Sequence, residues 1–280
     1  MEKQDNIITI LQNEIEKNYS QLSIEKLQKI FYFHAKKLLT EYLLKIENLE
    51  IKILDIEYYY FSEKHQDIYV HKKEKQKIFQ NKSKETIQLY VHEKNSRGGI
   101  DIVFGKDDYY GGILIRGISI NDNDKNIIGI NNVKNEIAKN FNISDDYKEL
   151  QDFFDNTDIT LVKKNNKNND NDKILISIRE GLNSLECKYK YALYRFIKPV
   201  KINEKYETYG LTYKNLKDKS KILALNYWIF DKKIKLNVFK KNGKDLFVDI
   251  EKHYNTINNN CYLKRYCKDF KSFFEEKKEG

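Results

Sequence analysis

From Ser23 onward, apolar residues recur at Leu27, Ile30, Phe31, Leu38, Leu39, Tyr42, Leu43 and Ile46. This spacing predicts a helix of about six turns, with Ser23 as its N-cap. Residues 1–22 read as a short polar helical lead-in. The next segment, IKILDIEYYYF, is rich in β-branched and aromatic residues and predicts a strand. Two more strand-like runs follow, TIQLYV at 86–91 and IDIVFG at 100–105, with NSRGG between them supplying hairpin turn chemistry. YYGGILIRGISI predicts another strand, entered through paired glycines.

After Gly129 the period becomes helical in VKNEIAKNF and YKELQDFF. The run KKNNKNNDNDK at 163–173 is low-complexity and reads as a solvated loop. Strand character returns in KILISI and YALYRFI, and again in ILALNYWIF, IKLNVF and KDLFVDI, before a lysine-rich helical end. No internal repeat and no Pro- or Gly-rich linker interrupts the chain. The expected architecture is α+β, a single mixed domain with a curved, mainly antiparallel sheet and flanking helices over residues 1–204. Residues 205–280 form a C-terminal extension, either a small β-appendage or more of the same sheet.

Composition narrows the partner and the compartment. Lys and Arg total 51 against 42 Asp and Glu, a formal charge of +9 that suits a polyanion. Part of that excess follows the Lys-, Asn-, Ile- and Tyr-rich bias that AT-rich codons produce. Only five residues are arginine (Arg97, Arg116, Arg179, Arg195 and Arg265), so each is a position where planar bidentate geometry was worth keeping. The sequence has no apolar run of about 18 residues that could span a bilayer. Its N-terminus lacks the apolar core of a signal peptide. Cys187, Cys261 and Cys267 are too few for a disulfide framework, and none has a zinc-type companion pair. These features point to a cytoplasmic protein with a polyanionic partner and no membrane-spanning segment.

Period two places Ile51, Ile53, Asp55, Glu57 and Tyr59 on one face of the strand around Glu57, and Lys52, Leu54, Ile56, Tyr58 and Tyr60 on the other. The second face is apolar enough to pack on a core. The first ends in two carboxylates and a phenol, which suits a pocket wall. His65, Tyr69, His71, Tyr90 and His92 follow within a short stretch. Aromatic and imidazole rings beside a carboxylate can sandwich a flat heterocycle while the carboxylate acts on water. On pattern alone Asp55 competes with Glu57 for that role, and a strand-end carboxylate is commonly just solvated.

The order of these segments resembles the alkyladenine (3-methyladenine) DNA glycosylase family. AKKLL at 35–39 is similar to the end of that family's opening helix, and Glu57-Tyr58-Tyr59 to its E-x-Y strand end. LYVH at 89–92, LIRGI at 114–118, IREGL at 178–182 and ALYRFI at 192–197 resemble later family segments in order and spacing. The resemblance covers residues 35–197. It implies that Glu57 is catalytic, that Tyr59, His71, His92 and Asp101 border the base, and that Arg116 lies near the DNA backbone. Residues 205–280 have no counterpart in it. The chain departs from the family at His92, which stands for a tyrosine, at Asp101, which stands for an asparagine, and in the hairpin EKNSRGG, which lacks the intercalating tyrosine. Tyr109 or Tyr110 is the candidate substitute wedge.

The reaction implied by the resemblance is base flipping and base excision by a monofunctional hydrolase that acts as a monomer on double-stranded DNA, without metal or other cofactor and with water activated by Glu57. Its setting is either DNA repair or antiviral defence. Because a carboxylate only accepts, Asp101 favours a base edge that carries an amino group or a protonated ring nitrogen, a modified cytosine among them; alternatively, Asp101 pairs with a lysine or caps the turn. Lys72 and Lys73, with Lys75 and Lys77, are candidate phosphate contacts or a solvated loop. Three readings compete with the enzyme: a catalytically inactive nucleic-acid-binding protein of the same fold, a metal-dependent nuclease built on Asp55, Glu57 and Asp101, and an interaction protein without catalysis.

Overall fold

The computed structural model describes residues 6–70, 87–93, 98–106, 108–120, 126–164, 174–177, 179, 181–182, 189, 192–198, 200–202, 205–207, 240–241 and 244–245. Helix α1 spans Ile7–Lys17, and the Asn6 side chain accepts from the Ile8 N–H at 3.0 Å to cap it. Ile7, Ile8, Leu11 and Ile15 are buried on one face, so the lead-in is an amphipathic helix with a firm apolar stripe. Helix α2 spans Ile24–Glu41 and is capped as expected, by Ser23 Oγ accepting from the Lys26 N–H at 3.1 Å.

The predicted six-turn helix stops early. Tyr42–Ile46 is strand β1, paired on one side with β2 (Leu49–Ser62) and on the other with β8 (Ile159–Lys163). Tyr42, Leu44 and Ile46 are buried in alternation, a period that the helical spacing of Leu43 and Leu39 obscured. Pairing on both edges decides the conformation, because β8 lies more than a hundred residues away and is too short to announce itself in the sequence. Glu47, with φ +51°, makes the tight turn from β1 into β2.

Five further strands are β3 (His65–Gln66), β4 (Leu89–Val91), β5 (Ile100–Lys106), β6 (Tyr109–Ile120) and β7 (Asn126–Ile128). They form a curled antiparallel sheet in the order β4-β5-β6-β2-β1-β8, with β3 on β2 and β7 on β6. Helices α3 (Ile130–Asn140) and α4 (Tyr147–Asp155) follow where the periodicity predicted them. The fold is thus mixed α+β, with four helices among the described residues.

One face of the sheet packs on α2. Phe31 stacks on Tyr58 at 4.4 Å between ring centroids, and Tyr60 lies parallel to Phe104 at 6.5 Å. Gly111 permits this layer, since a Cβ there would fall 2.3 Å from Phe104 Cζ. Buried His34 bridges two elements: its Nε2 lies 3.1 Å from the Ile7 carbonyl and its Nδ1 lies 2.5 Å from Tyr58 Oη. The carbonyl can only accept, so Nε2 carries the proton and Nδ1 accepts from the phenol. Burial pushes the imidazole down to a pKa of about 3.

The chain divides into two compact units, Met1–Ile174 with Phe196–Lys198, and Leu175–Arg195 with Pro199–Gly280. The first holds everything described so far. Within it Phe196 meets Tyr58 edge-on, and the Lys198 N–H donates to the Leu54 carbonyl at 2.7 Å. In the second, buried Arg179 donates from Nη2 to the Tyr189 carbonyl at 2.8 Å and lies over the Tyr194 ring. Two short hairpins, Val200–Ile202 with Lys205–Glu207 and Lys240–Lys241 with Lys244–Asp245, belong to this second unit. Most of the 205–280 extension, the cysteines and the 165–173 part of the low-complexity run lie outside the described residues. No helix among the described residues is long and apolar enough to cross a membrane.

Candidate active site

Two compensating bulges set which side chains reach the face opposite α2. Along β2 and β6 the pairs run Ile53 with Ile118, Asp55 with Gly117, then Ile56 with Ile115. Leu54 is therefore one extra residue on β2, and Arg116 one extra on β6. Their carbonyls bond elsewhere, Leu54 to the Lys198 N–H and Arg116 to the Gly129 N–H at 2.8 Å. An inserted residue reverses the side-chain parity beyond it. Ile51 and Ile53 thus join Ile56, Tyr58 and Tyr60 on the helix-packed face, while Asp55, Glu57 and Tyr59 stay opposite. This corrects the simple period-two grouping, which had Ile51 and Ile53 beside Glu57.

Strand register builds the site in rows. Tyr90, Asp101, Leu114 and Glu57 lie side by side across β4, β5, β6 and β2. The next row carries Val103, Gly112 and Tyr59. Two strand spacings separate the Glu57 and Asp101 backbones, about 10 Å, with Leu114 between them. Gly99, at φ +110°, lets the chain approach this leucine closely: a Cβ there would fall 2.8 Å from Leu114 Cδ1 and 3.4 Å from Ile130 Cβ at the start of α3.

Glu57 is fully buried, at 0% exposure. A lone carboxylate so placed would be strongly destabilising, and two partners offset that cost. Tyr59 Oη donates to Glu57 Oε2 at 2.9 Å, and Arg116 Nη1 lies 3.3 Å from Oε1. On the far side of Leu114, His92 Nε2 lies 3.0 Å from Oδ1 of Asp101, whose side chain is 1% exposed. The Tyr90 ring meets the His92 ring edge-on at 4.9 Å. One face thus presents a held carboxylate, a half-buried phenol, an apolar floor and an imidazole–carboxylate pair.

Glu57, Tyr59, His92, Asp101 and Arg116 are therefore brought together. The Arg116 guanidinium reaches into this cluster, to the Glu57 carboxylate, where the resemblance had put it near a DNA backbone. Tyr109 and Tyr110 are not where a wedge would have to stand. Both are buried on β6: Tyr109 donates toward the Gln12 carbonyl and Glu16 Oε1 at 3.3 and 3.2 Å, and Tyr110 stacks on Phe61 at 5.2 Å. Burial raises both phenols, Tyr110 to about 12. The substitute-wedge role is corrected on that ground. His71, Lys72 and Lys73 lie outside the described residues, as do Lys75 and Lys77.

Sequence reasoning missed Leu114, which lies between Glu57 and Asp101, and Gly99, which packs closely against it. The paired glycines of NSRGG carried a signal for Gly99, whereas nothing local marked Leu114. Among the described residues no group of three or more His, Cys, Asp or Glu could hold a metal ion. Asp55, Glu57 and Asp101 share a face but are spread over β2 and β5. No protein-family model matches the chain, and no curated protein matches its sequence.

Proposed function

We propose that this protein is a monofunctional DNA N-glycosylase, a hydrolase that flips a modified or damaged base and cleaves its N-glycosidic bond with water activated by Glu57. The observation that carries the proposal is the row of Glu57, Leu114 and Asp101, with Tyr59 and His92 alongside, on the sheet face away from α2. An apolar floor between polar walls suits a flat ring with hydrogen-bonding edges. The likeness of segment order to the alkyladenine DNA glycosylases supports the same reading.

In this mechanism Tyr59 and His92 border the extruded base. Tyr59 donates to one Glu57 oxygen and Arg116 lies beside the other, which fixes the carboxylate's orientation. Glu57 accepts a hydrogen bond from water, aims it at the sugar carbon opposite the departing base and takes its proton. The carboxylate charge, fixed in a dry site, stabilises the oxocarbenium-like transition state. The chemistry leaves an abasic site.

The test is alkali-labile site formation on duplexes that each carry one modified base. The protein should generate such sites, and Glu57→Gln should reduce the rate by at least about 100-fold while leaving duplex affinity nearly unchanged. Equal loss of binding and excision would overturn the catalytic role. A second reading, a nucleic-acid-binding protein of the same fold without catalysis, is favoured by the engagement of both Glu57 oxygens. It predicts flipped-base binding with no abasic product from any duplex.

A further inference from the structure

We infer that Gly129 is a positioning residue for the buried ion pair: by holding the Arg116 carbonyl, it sets where the guanidinium stands relative to Glu57. This role belongs to the geometry of the chain and holds whatever reaction Glu57 carries out. Arg116 occupies a place along β6 where the neighbouring strand changes. β5 pairs with β6 up to Ile115, opposite Ile100, and β7 takes over from Gly117, opposite Ile128. On the other flank the same residue is the extra one in the register of β6 against β2. A bulge re-aims its side chain, so whatever fixes the bulged peptide also directs the guanidinium. The Gly129 N–H donates to the Arg116 carbonyl at 2.8 Å, and Arg116 Nη1 lies 3.3 Å from Glu57 Oε1.

Gly129 is the single residue between β7 and α3. The chain turns there at φ +100°, a conformation that an L side chain adopts only under strain. Space does not forbid a methyl group, whose nearest contact would be Asn132 Nδ2 at 3.4 Å. Relief of the strain turns Gly129 about φ, so either its N–H leaves Arg116 or α3 leaves the sheet. Buried Val133, Ile137 and Ala138 anchor α3, and the N–H is therefore the part that gives. Asn132 steadies the same turn, donating from Nδ2 to the Ile128 carbonyl at 2.7 Å. Beside the bulge the strands are closely packed: a Cβ on Gly117 would fall 3.1 Å from both Asp55 Cβ and Ile128 Cδ1. A shift of the Arg116 peptide is thus passed to its side chain and not absorbed by the neighbours.

The test is a double-mutant cycle on the full chain, read by urea unfolding: parent, Arg116→Met, Glu57→Gln and the two combined. The cycle is repeated in the Gly129→Ala, Asn132→Ala and Val133→Ala backgrounds. With Gly129→Ala the coupling between Arg116 and Glu57 should fall by at least about half. Asn132→Ala loosens the turn without backbone strain and should give a smaller fall. Val133→Ala opens a cavity under α3 and leaves the turn alone, so it should lower stability and keep the coupling.

A merely structural role for Gly129 predicts the Val133→Ala result. Unchanged coupling with Gly129→Ala overturns the positioning role, as does an equal fall with Val133→Ala or no coupling in the parent. Should Gly129→Ala fail to fold, the Asn132→Ala cycle decides: reduced coupling upholds the role and unchanged coupling overturns it. None of these outcomes depends on excision. A protein that makes no abasic product but shows the expected cycles overturns the glycosylase and keeps the role of Gly129.

Discussion

Tyr59 donates its phenolic hydrogen to Glu57 Oε2 at 2.9 Å from two residues along the same strand, so the aromatic wall and the carboxylate are one rigid piece. Tyr59→Phe keeps the ring and removes the donor. A charge-assisted hydrogen bond of this kind contributes about 1.5–3 kcal/mol, so excision should slow by roughly 10- to 100-fold. Base binding should persist, since the ring face remains. Single-turnover kinetics beside titration of a flipped-base duplex checks this; a loss of affinity as large as the loss of rate would argue that the hydroxyl serves the fold and not the reaction.

Arg116 is the other clamp on the buried carboxylate. Arg116→Met leaves Glu57 buried without its cationic partner and should destabilise the protein by about 3–5 kcal/mol. Adding Glu57→Gln removes the uncompensated charge, so the double variant should be more stable than Arg116→Met alone. Urea unfolding of the four proteins in this cycle measures the coupling. Strictly additive losses would mean that the guanidinium acts through packing alone.

The legibility of this region differs residue by residue, for physical reasons. The β6 strand was readable to its ends because paired glycines lead into a run rich in isoleucine. Ser23 was readable as a cap because capping is a local interaction. Strand β1 was not, because its identity depends on β8, a partner more than a hundred residues away. The Leu54 and Arg116 bulges left no mark in residue type, yet they decide which face Ile51 and Ile53 share. Glu57 and Tyr59 kept their assigned face since both lie beyond the insertion. Tyr109 read as a candidate wedge, whereas its hydroxyl reaches the Gln12 carbonyl and Glu16 of α1 and its side chain is buried.

Strand β4 is at the end of the sheet order, and its outer edge is covered by one side chain. The Val91 N–H donates to Gln151 Oε1 at 2.7 Å, and Gln151 Nε2 donates to the Leu89 carbonyl at 3.0 Å. The amide of α4 thus imitates a neighbouring strand and closes an edge that would otherwise template pairing with another chain. Gln151→Ala should cost about 1–3 kcal/mol and increase concentration-dependent association. Gln151→Glu retains the acceptor but cannot donate to Leu89 when ionised, so it should fall near the alanine variant. Light scattering with chemical denaturation tests both, and a fully monomeric alanine variant of unchanged stability would exclude the edge-cap role.

His34 makes folding sensitive to pH from inside the core. Burial lowers its pKa from 6.5 to about 3, so the folded protein resists the proton that the unfolded chain accepts. Above the unfolded value both states are neutral and this group imposes no penalty. As pH falls below 6.5 only the unfolded state charges, so stability declines until the folded pKa is reached. Between about pH 7.5 and about pH 5 the loss should approach about 2 kcal/mol, at a limiting slope of about 1.4 kcal/mol per pH unit. Carboxylates remain largely ionised over that interval, so they contribute little to the slope. His34→Gln can still donate to the Ile7 carbonyl and accept from Tyr58, but it does not titrate. The variant should lose some stability at neutral pH through imperfect fit, and its unfolding free energy should be correspondingly flatter across the interval. Equal slopes for the two proteins would show that the imidazole takes up its proton without leaving the folded state.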